Sequence, residues 1–440
     1  MAPITPGFKG FRGARRESFV IPKGTDDAGP NRAAKEDSMK RIVVALAVFA
    51  LVAGSAFGQN VIKIGANWPL ADAGSVEAAN AAQLAVDEIN QAGGVVGKKL
   101  QLIVVDDEFK GDKGIAAIER LVTVDKVDVL FGGYASGVQA AQIPTLKKYG
   151  IVTLATGAAS SALVEKALGP SPESDFYFHL HPWDYEQGQS YVDGWNAIMQ
   201  KYPNVKIKRI FLAYEEGAFG SSSFAASKAL YANTSFVFDG ASFKSAASGG
   251  SDYSGVLQAA KEFKPDLFIW GGYAQDAIGI AEQAKAMKFA PPIFVGAPPA
   301  WPADAPTNPL VQNEVAYGMW SPAINKISET SRRFTEAYKA KYGKAFTSYF
   351  APLSYSGIYI LADAIKAAGG TDKASLIAAL EKTKYASPLG DTITFTPSNV
   401  IKHQGIKVQK IMQWQNGTQQ VLWPFEAASA NFVYPFSFPK

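Results

Sequence analysis

The chain reads as an α/β protein built from two parallel-sheet lobes with a cleft between them. Two series of alternating strand and helix patterns carry that reading, one over residues 61–156 and one over 208–296. A turn-rich break separates them at 157–190, and a second break at 297–309 holds five prolines. Strand–helix alternation with short connections puts strands side by side in parallel, with helices on both faces.

Residues 61–66 form a short apolar run of buried-strand type, and 76–91 a helix stopped by Gly93-Gly94. A strand follows at 100–106. The next helix, 112–126, has Ile115, Ile118, Leu121 and Val122 on one face. Strands at 127–132 and 151–156 flank a helix at 136–149. In the second series, strands at 208–214, 236–243, 266–271 and 292–296 alternate with helices at 220–232, 253–263 and 274–287. Helical patterns at 327–342, 351–368 and 373–382 come next. Two strands, 407–415 and 419–423, close on the hairpin signal Asn416-Gly417.

The 440 residues suffice for two or three domains, and 48% hydrophobic content suits folded cores. Net charge is +4, but residues 1–58 hold nine of the 43 bases and five of the 39 acids, which leaves 34 of each beyond them. The folded part is therefore neutral, which removes the electrostatic support for a nucleic-acid partner. Met39-Lys40-Arg41, the apolar run 42–53, and Ala56 and Gly58 at small-residue positions have the form of a secretory signal at 39–58. Residues 1–38 precede it as a disordered or spuriously assigned extension. No cysteine is present, so disulfides and thiolate chemistry are excluded. A lipid-anchored surface protein needs a cysteine after its signal, so the expectation is a protein released into a periplasm.

Catalytic patterns fail on spacing. His179-x-His181 offers two metal ligands and no acidic neighbour, and strand alternation explains it. Gly133-Tyr134-Ala135-Ser136-Gly137 lacks the G-x-S-x-G order of a hydrolase elbow, and three histidines in the chain leave Ser136 without an evident base. Gly93 to Lys99 lacks phosphate-loop spacing. Asp106-Asp107-Glu108 reads as a solvated strand end, with a divalent-cation site as its other reading. No metal, cofactor or enzymatic activity is expected.

Ile62-Lys63-Ile64-Gly65, Ala85-Val86-Asp87-Glu88-Ile89-Asn90 with Gly93-Gly94, Asp106-Asp107, Gly132 to Gly150, Asp252-Tyr253-Ser254 and Gly271-Gly272-Tyr273 occur in this order. Together they resemble the leucine/isoleucine/valine-binding family of ABC transporter substrate-binding proteins, over about residues 61–423. The resemblance implies a type I periplasmic-binding fold: two doubly wound parallel-sheet lobes joined by a three-strand hinge. It puts lobe 1 at 61–183 and 300–396, and lobe 2 at 184–299 and 397–440. It also implies a periplasmic receptor that closes on a small ligand, such as an amino acid, and delivers it to an ABC permease in the inner membrane. A sensory protein of the same fold, binding an amide or an aromatic acid, is the alternative.

Site residues carry over from the resemblance by position. Ser136 matches a serine that holds the ligand carboxylate; it also starts a helix, so a plain structural role at that terminus stays open. Gly157 matches a backbone contact. Ala159 stands where familiar members have a threonine, with Ser160 beside it as a substitute hydroxyl. Phe219 matches an aromatic wall, and Asp276 the acid that pairs with the ligand's ammonium, with a helix N-terminal charge as its other reading. Gly74 falls where an aromatic often stands, and Trp68, Tyr134 and Tyr273 are candidates to fill that space. Losing a hydroxyl at 159 and a ring at 74 points to a bulky apolar or aromatic amino acid, and leaves open an amine-free acid. The leader makes its own prediction: mass spectrometry of exported protein gives a chain starting at or near Gln59. A soluble exported form that keeps residues 1–58 overturns the signal assignment.

Overall fold

The computed structural model describes residues 61–168 and 174–440. The extension at 1–38, the signal at 39–58 and the Gly169-to-Pro172 turn lie outside the described residues. The first sheet holds β1 (Val61–Trp68), β2 (Lys99–Asp106), β3 (Val129–Gly132), β4 (Thr153–Ala155) and β5 (Tyr177–His179). Its order is β2-β1-β3-β4-β5, all parallel. The second holds β6 (Arg209–Glu215), β7 (Val237–Phe243), β8 (Leu267–Gly271), β9 (Ile293–Gly296) and β10 (Val315–Gly318), in the order β7-β6-β8-β9-β10. Both sheets thus repeat one doubly wound order, with a switch point between the first and third strands of each. A small ribbon pairs β11 (Tyr385–Ala386) with β12 (Thr392–Ile393). β13 (His403–Gln404) joins the first sheet beside β5, and β14 (Lys410–Gln415) and β15 (Thr418–Trp423) extend the second in antiparallel fashion.

The helices are α1 (Ala73–Gln91), α2 (Gly111–Thr123), α3 (Ser136–Tyr149), α4 (Ser161–Leu168), α5 (Asp184–Lys201), α6 (Ala218–Tyr231), α7 (Ser254–Phe263), α8 (Ala277–Ala286), α9 (Glu329–Tyr342), α10 (Phe350–Ala368) and α11 (Lys373–Leu380). α1 starts where the Asp72 carboxylate accepts the Ser75 amide at 3.0 Å. Its alanine-rich face, Ala78, Ala81, Ala82 and Ala85, is buried in the same core as Ile358 and Leu361 of α10. α2 buries Ile118 and Leu121 of the stripe expected from its period, with Gly114 and Ala117 beside them, and leaves Ile115 and Val122 half-buried.

The sequence reading passed over several elements: α4 and β5 lie in the 157–190 break, α5 starts in that break and runs past it, and β10 falls between the second break and the helical pattern at 327–342. α5 carries two glycines, which lower helix propensity. Packing explains them: a Cβ at Gly188 would meet Leu230 of α6 at 3.1 Å, and one at Gly194 would meet Ile411 of β14 at 2.5 Å. β10 is four residues long and follows a proline run, too short to show a period. It is nevertheless a buried strand, paired with β9 on one side and β14 on the other.

Strand pairing also moves two of the expected crossings. The chain leaves the first sheet after β5. It returns only after β10, so the crossing expected near 299 lies beyond Gly318; the proline-rich stretch is a loop back to the fifth strand of the second sheet. The crossing expected near 396 comes after Gln404, because β13 pairs with β5 before the chain moves on. Among the described residues no helix is long and apolar enough to cross a membrane.

Glu314 sits in the turn before β10, completely buried. Its Oε1 accepts the Trp270 indole N–H at 2.6 Å, and Oε2 has no partner among the described residues. Burial pushes its carboxyl well above the carboxylate range, against the smaller opposing effect of Trp270. Folding therefore takes up a proton at neutral pH, and that contribution to stability weakens as pH rises above the unfolded value of about 4.3. Glu314→Gln has no proton to take up. Its stability relative to the native protein should grow by up to about 1.4 kcal/mol per pH unit above about pH 5. Denaturant unfolding at pH 5, 6, 7 and 8 measures the gap; a constant gap shows that Glu314 is ionised in the fold.

Candidate functional site

Right-handed crossovers put the loops after each parallel strand on one edge of each sheet. The β3–α3 loop begins with Gly132 and Gly133 at φ of 98° and 95°. At Gly133 a Cβ would also stand 2.5 Å from Gln139 Oε1, so only glycine fits this turn. The loop delivers Tyr134 and Ser136. The β4–α4 loop supplies Ala158, at φ 72°, and Ala159. At Gly157 a Cβ would lie 2.5 Å from the Gly133 carbonyl, so the two loops touch backbone to backbone. His181 follows β5. From the second sheet come Phe219 after β6, Tyr273 after β8 and Pro299 after β9. Tyr349 and Phe350 enter at the start of α10.

These ten residues line one cavity between the lobes. It is closed down: the free space is about 20 Å³, room for about one water molecule. Rings occupy the rest. Tyr134 stacks with Tyr273 across the lobes at 6.4 Å between centroids, and tilts on Phe350 at 4.8 Å. Phe219 lies 6.2 Å from Tyr273.

The closed arrangement is held by polar contacts around the rings. Asp184, at the start of α5, accepts Ser161 Oγ of the first lobe at 2.5 Å and also the Ser222 hydroxyl of the second. Ser160 Oγ donates to the Ala218 carbonyl at 3.5 Å, and Gln275 Nε2 to Asp72 Oδ2 at 3.4 Å.

Ser136 is the polar end of the cavity. Its Oγ accepts the Ala159 amide at 3.2 Å, which leaves the hydroxyl proton free to donate to a ligand. It stands in the first turn of α3, whose first intrahelical bond in this turn is Gln139 to Ala135. The earlier amides of that turn and the helix dipole favour an anion there.

His181 offers nothing basic. Its Nδ1 donates to the Pro182 carbonyl at 2.9 Å, and its Nε2 faces the Tyr349 hydroxyl at 3.2 Å. Burial, reinforced by His179, pushes it down to about 3. His179 is buried, stacked on Trp183 at 4.0 Å, and donates to the Gly157 carbonyl at 2.5 Å. The pair builds the loop and the crossing.

Of the nine residues expected at the site, Tyr134, Ser136, Ala159, Phe219 and Tyr273 come together in the cavity wall. Trp68 does not: it is buried in the first lobe, edge-on to Phe131 at 5.8 Å. Gly157 shapes the loop behind the wall, and Ser160 turns to the other lobe. Asp276 requires a correction. It is fully buried, and its carboxylate accepts four donors: Ala246 N at 2.7 Å, Tyr253 Oη at 2.8 Å, Ser245 Oγ at 2.7 Å and Tyr273 N at 2.8 Å. It does not line the cavity; it ties three segments together and fixes the loop that carries Tyr273. Ala158, His181, Pro299, Tyr349 and Phe350 were not anticipated. His179-x-His181 had drawn notice for its spacing, but nothing in the sequence marks Tyr349 and Phe350.

The acidic run after β2 is likewise structural. Asp107 accepts Asn67 Nδ2 at 2.7 Å and the Phe109 amide at 3.1 Å, and burial raises it to about 6. Among the described residues no group of three or more acids and histidines could hold a metal ion.

Residues 61–419 match the family model described as periplasmic binding protein. Leu/Ile/Val-binding protein homolog 7 of Brucella abortus is 25% identical over 419 residues, covering 90% of this chain and all of that protein. Homolog 8 of Brucella suis is 24% identical over 90% of this chain and 99% of its own length. Among solved structures, the branched-chain amino acid transporter substrate binding protein LivJ of Streptococcus pneumoniae, in complex with isoleucine, superposes with a TM-score of 0.67 at 24% identity, covering 85% of this chain and all of LivJ. A Rhodopseudomonas palustris solute binding protein in complex with benzoate gives 0.68 at 18%, covering 82% of this chain and 95% of its own. These likenesses carry the fold.

The four donors on Asp276 generate a prediction. Asp276→Ala leaves two amides and two hydroxyls buried without an acceptor, and should lower stability by about 3 kcal/mol or more. Chemical denaturation without ligand measures it; unchanged stability restores Asp276 to the role of a free ligand anchor.

Proposed function

The chain belongs to the periplasmic binding protein family, and from that premise we propose that it is an extracytoplasmic receptor that closes its two lobes on a small carboxylic acid and presents it to an ABC permease. The observation that carries the ligand class is the make-up of the cavity. Its wall is aromatic on both lobes, its polar end is Ser136 at the start of α3, and no carboxylate lines it. An α-amino acid needs an acceptor for its ammonium group, and the expected one, Asp276, is already occupied by four donors. The favoured ligand is therefore an acid with a flat aromatic or branched apolar body, ahead of an α-amino acid. The similar structures accommodate both, since isoleucine and benzoate each sit in a protein of this fold.

Binding without turnover is the consistent reading. Ser136 is the one hydroxyl nucleophile of serine type in the wall. His181, the imidazole in the same wall, has both ring nitrogens engaged and is pushed down to about 3, which makes it a poor general base near neutral pH. The ring stack fills the ligand's place in this closed state, so a ligand enters by parting of the lobes at the crossings.

Titration calorimetry with benzoate, phenylacetate, leucine and phenylalanine tests the proposal. An aromatic acid should bind more tightly than the matching amino acid. A hydrogen bond to a charged group is worth about 1.5–3 kcal/mol, so Ser136→Ala should weaken that acid by about 10- to 150-fold. Tighter binding of leucine or phenylalanine overturns the ligand class, and an unchanged affinity in Ser136→Ala overturns the assigned anchor.

A further inference from the structure

A second cavity, separate from the ring-filled cleft, lies between the lobes beside the segment that leads into the second crossing. Its free volume is about 580 Å³, well inside the range of small-molecule sites. Two aromatic pairs line it: Trp301 against Trp414 at 5.4 Å, and Trp320 against Phe346 at 4.4 Å. Two carboxylates complete the wall, Asp72 and Glu77.

Glu77 is the unusual group. It lies on the first turns of α1 and is only 8% exposed. Its Oε2 accepts the Thr347 and Ser348 amides at 2.9 and 2.8 Å. Those bonds pin the carboxylate in one orientation. Its Oε1 has no hydrogen-bond partner among the described residues, although the side chain lines the cavity. A nine-tenths buried carboxylate held in place with one oxygen open, next to indole faces, is a recognition element for positive charge.

We propose that this second cavity binds a small organic ammonium ion, with Glu77 Oε1 as its counter-ion and the indoles of Trp301, Trp320 and Trp414 as its cage. The ion's charge faces the open oxygen, and its alkyl or aryl body lies against the rings. A bare inorganic cation fits less well, because none of the four aromatic walls, Trp301, Trp320, Phe346 and Trp414, offers a side-chain oxygen ligand. The walls come from both sides of the interface. Phe346 and Glu77 belong to the first lobe, and Trp414 to β14 of the second. An occupant therefore touches both lobes and favours their closed arrangement.

The charges around Glu77 fix how binding depends on pH. Burial raises its carboxyl to about 7 against the pull of the two amides; Lys344 lowers it slightly and Asp72 raises it. Tyr338 also lies within its field, and its phenol is neutral over the working range. Lys344 is an exposed side chain at the rim. The cation binds the ionised form, so affinity falls as pH drops through about 7.

This inference is independent of the acid assigned to the cleft. Its test is titration calorimetry of the full mature chain with benzylammonium chloride, with benzyl alcohol as the neutral control. Saturable one-to-one binding of benzylammonium is expected at pH 8, about tenfold weaker at pH 6, with benzyl alcohol at least tenfold weaker. Glu77→Gln, which keeps an acceptor for the two amides, should lose tenfold or more. Ala303→Trp, at an exposed position on the rim of this cavity, should block binding without altering the unfolding transition. Phe219→Ala, in the cleft, should retain it. The proposal is overturned by no saturable binding, by equal binding of the alcohol, by an unaltered affinity in Glu77→Gln or Ala303→Trp, or by loss of binding in Phe219→Ala.

Discussion

A parallel strand can be followed by another only through a crossover, and the crossover has one hand. That constraint puts every loop after a strand on the same edge of its sheet. Here it acts twice, on two sheets with one strand order, and the two edges meet. Eight of the ten residues of the cleft wall come from loops after β3, β4, β5, β6, β8 and β9 or the turns they open into. The sheets themselves contribute no side chain to the site. They fix where the loops begin, and the loops supply the chemistry.

Loops hold a shape only when their polar groups are satisfied. Each important loop here has a buried organiser that does not itself face the cleft. Asp276 gathers four donors and sets Tyr273. His179 holds the Gly157 carbonyl and so the turn that carries Ala158 and Ala159. Asp107 closes the loop after β2, and Glu77 pins residues 347 and 348 ahead of Tyr349 and Phe350. Charged and titratable groups in this protein are spent mainly on positioning, and the wall they position is nearly uncharged. This division explains how Asp276, expected as a ligand anchor, can be an internal brace here.

The alternating elements were legible because periodic segments such as 112–126 carry their own signal. α5 and β10 were not. α5 is helical because its glycines let α6 and β14 approach, which is a tertiary reason invisible in a window of sequence. β10 is a strand because it has neighbours on both sides. The same limit applies to the site. Tyr134, Ser136, Phe219 and Tyr273 follow apolar strands at predictable points. Tyr349 and Phe350 reach the cleft from a helix that begins beyond the second crossing, and no local pattern announces them. Asp276 failed for another reason: position identifies a carboxylate, but only coordinates show which donors already occupy it.

The eight tryptophans are distributed in a way that has an optical consequence. Trp183 stands at the first crossing, stacked on His179, and Trp320 just past the second. Trp301 and Trp414 lie in the gap between the lobes, where the loop bearing Trp301 bonds to Thr347 of the opposite side. The other four are packed in lobe interiors or against them. Half of the protein's tryptophans therefore stand at the joints, where a swing of the lobes would change their ring neighbours. The molecule carries its own fluorophores for following that swing in real time, with no label attached.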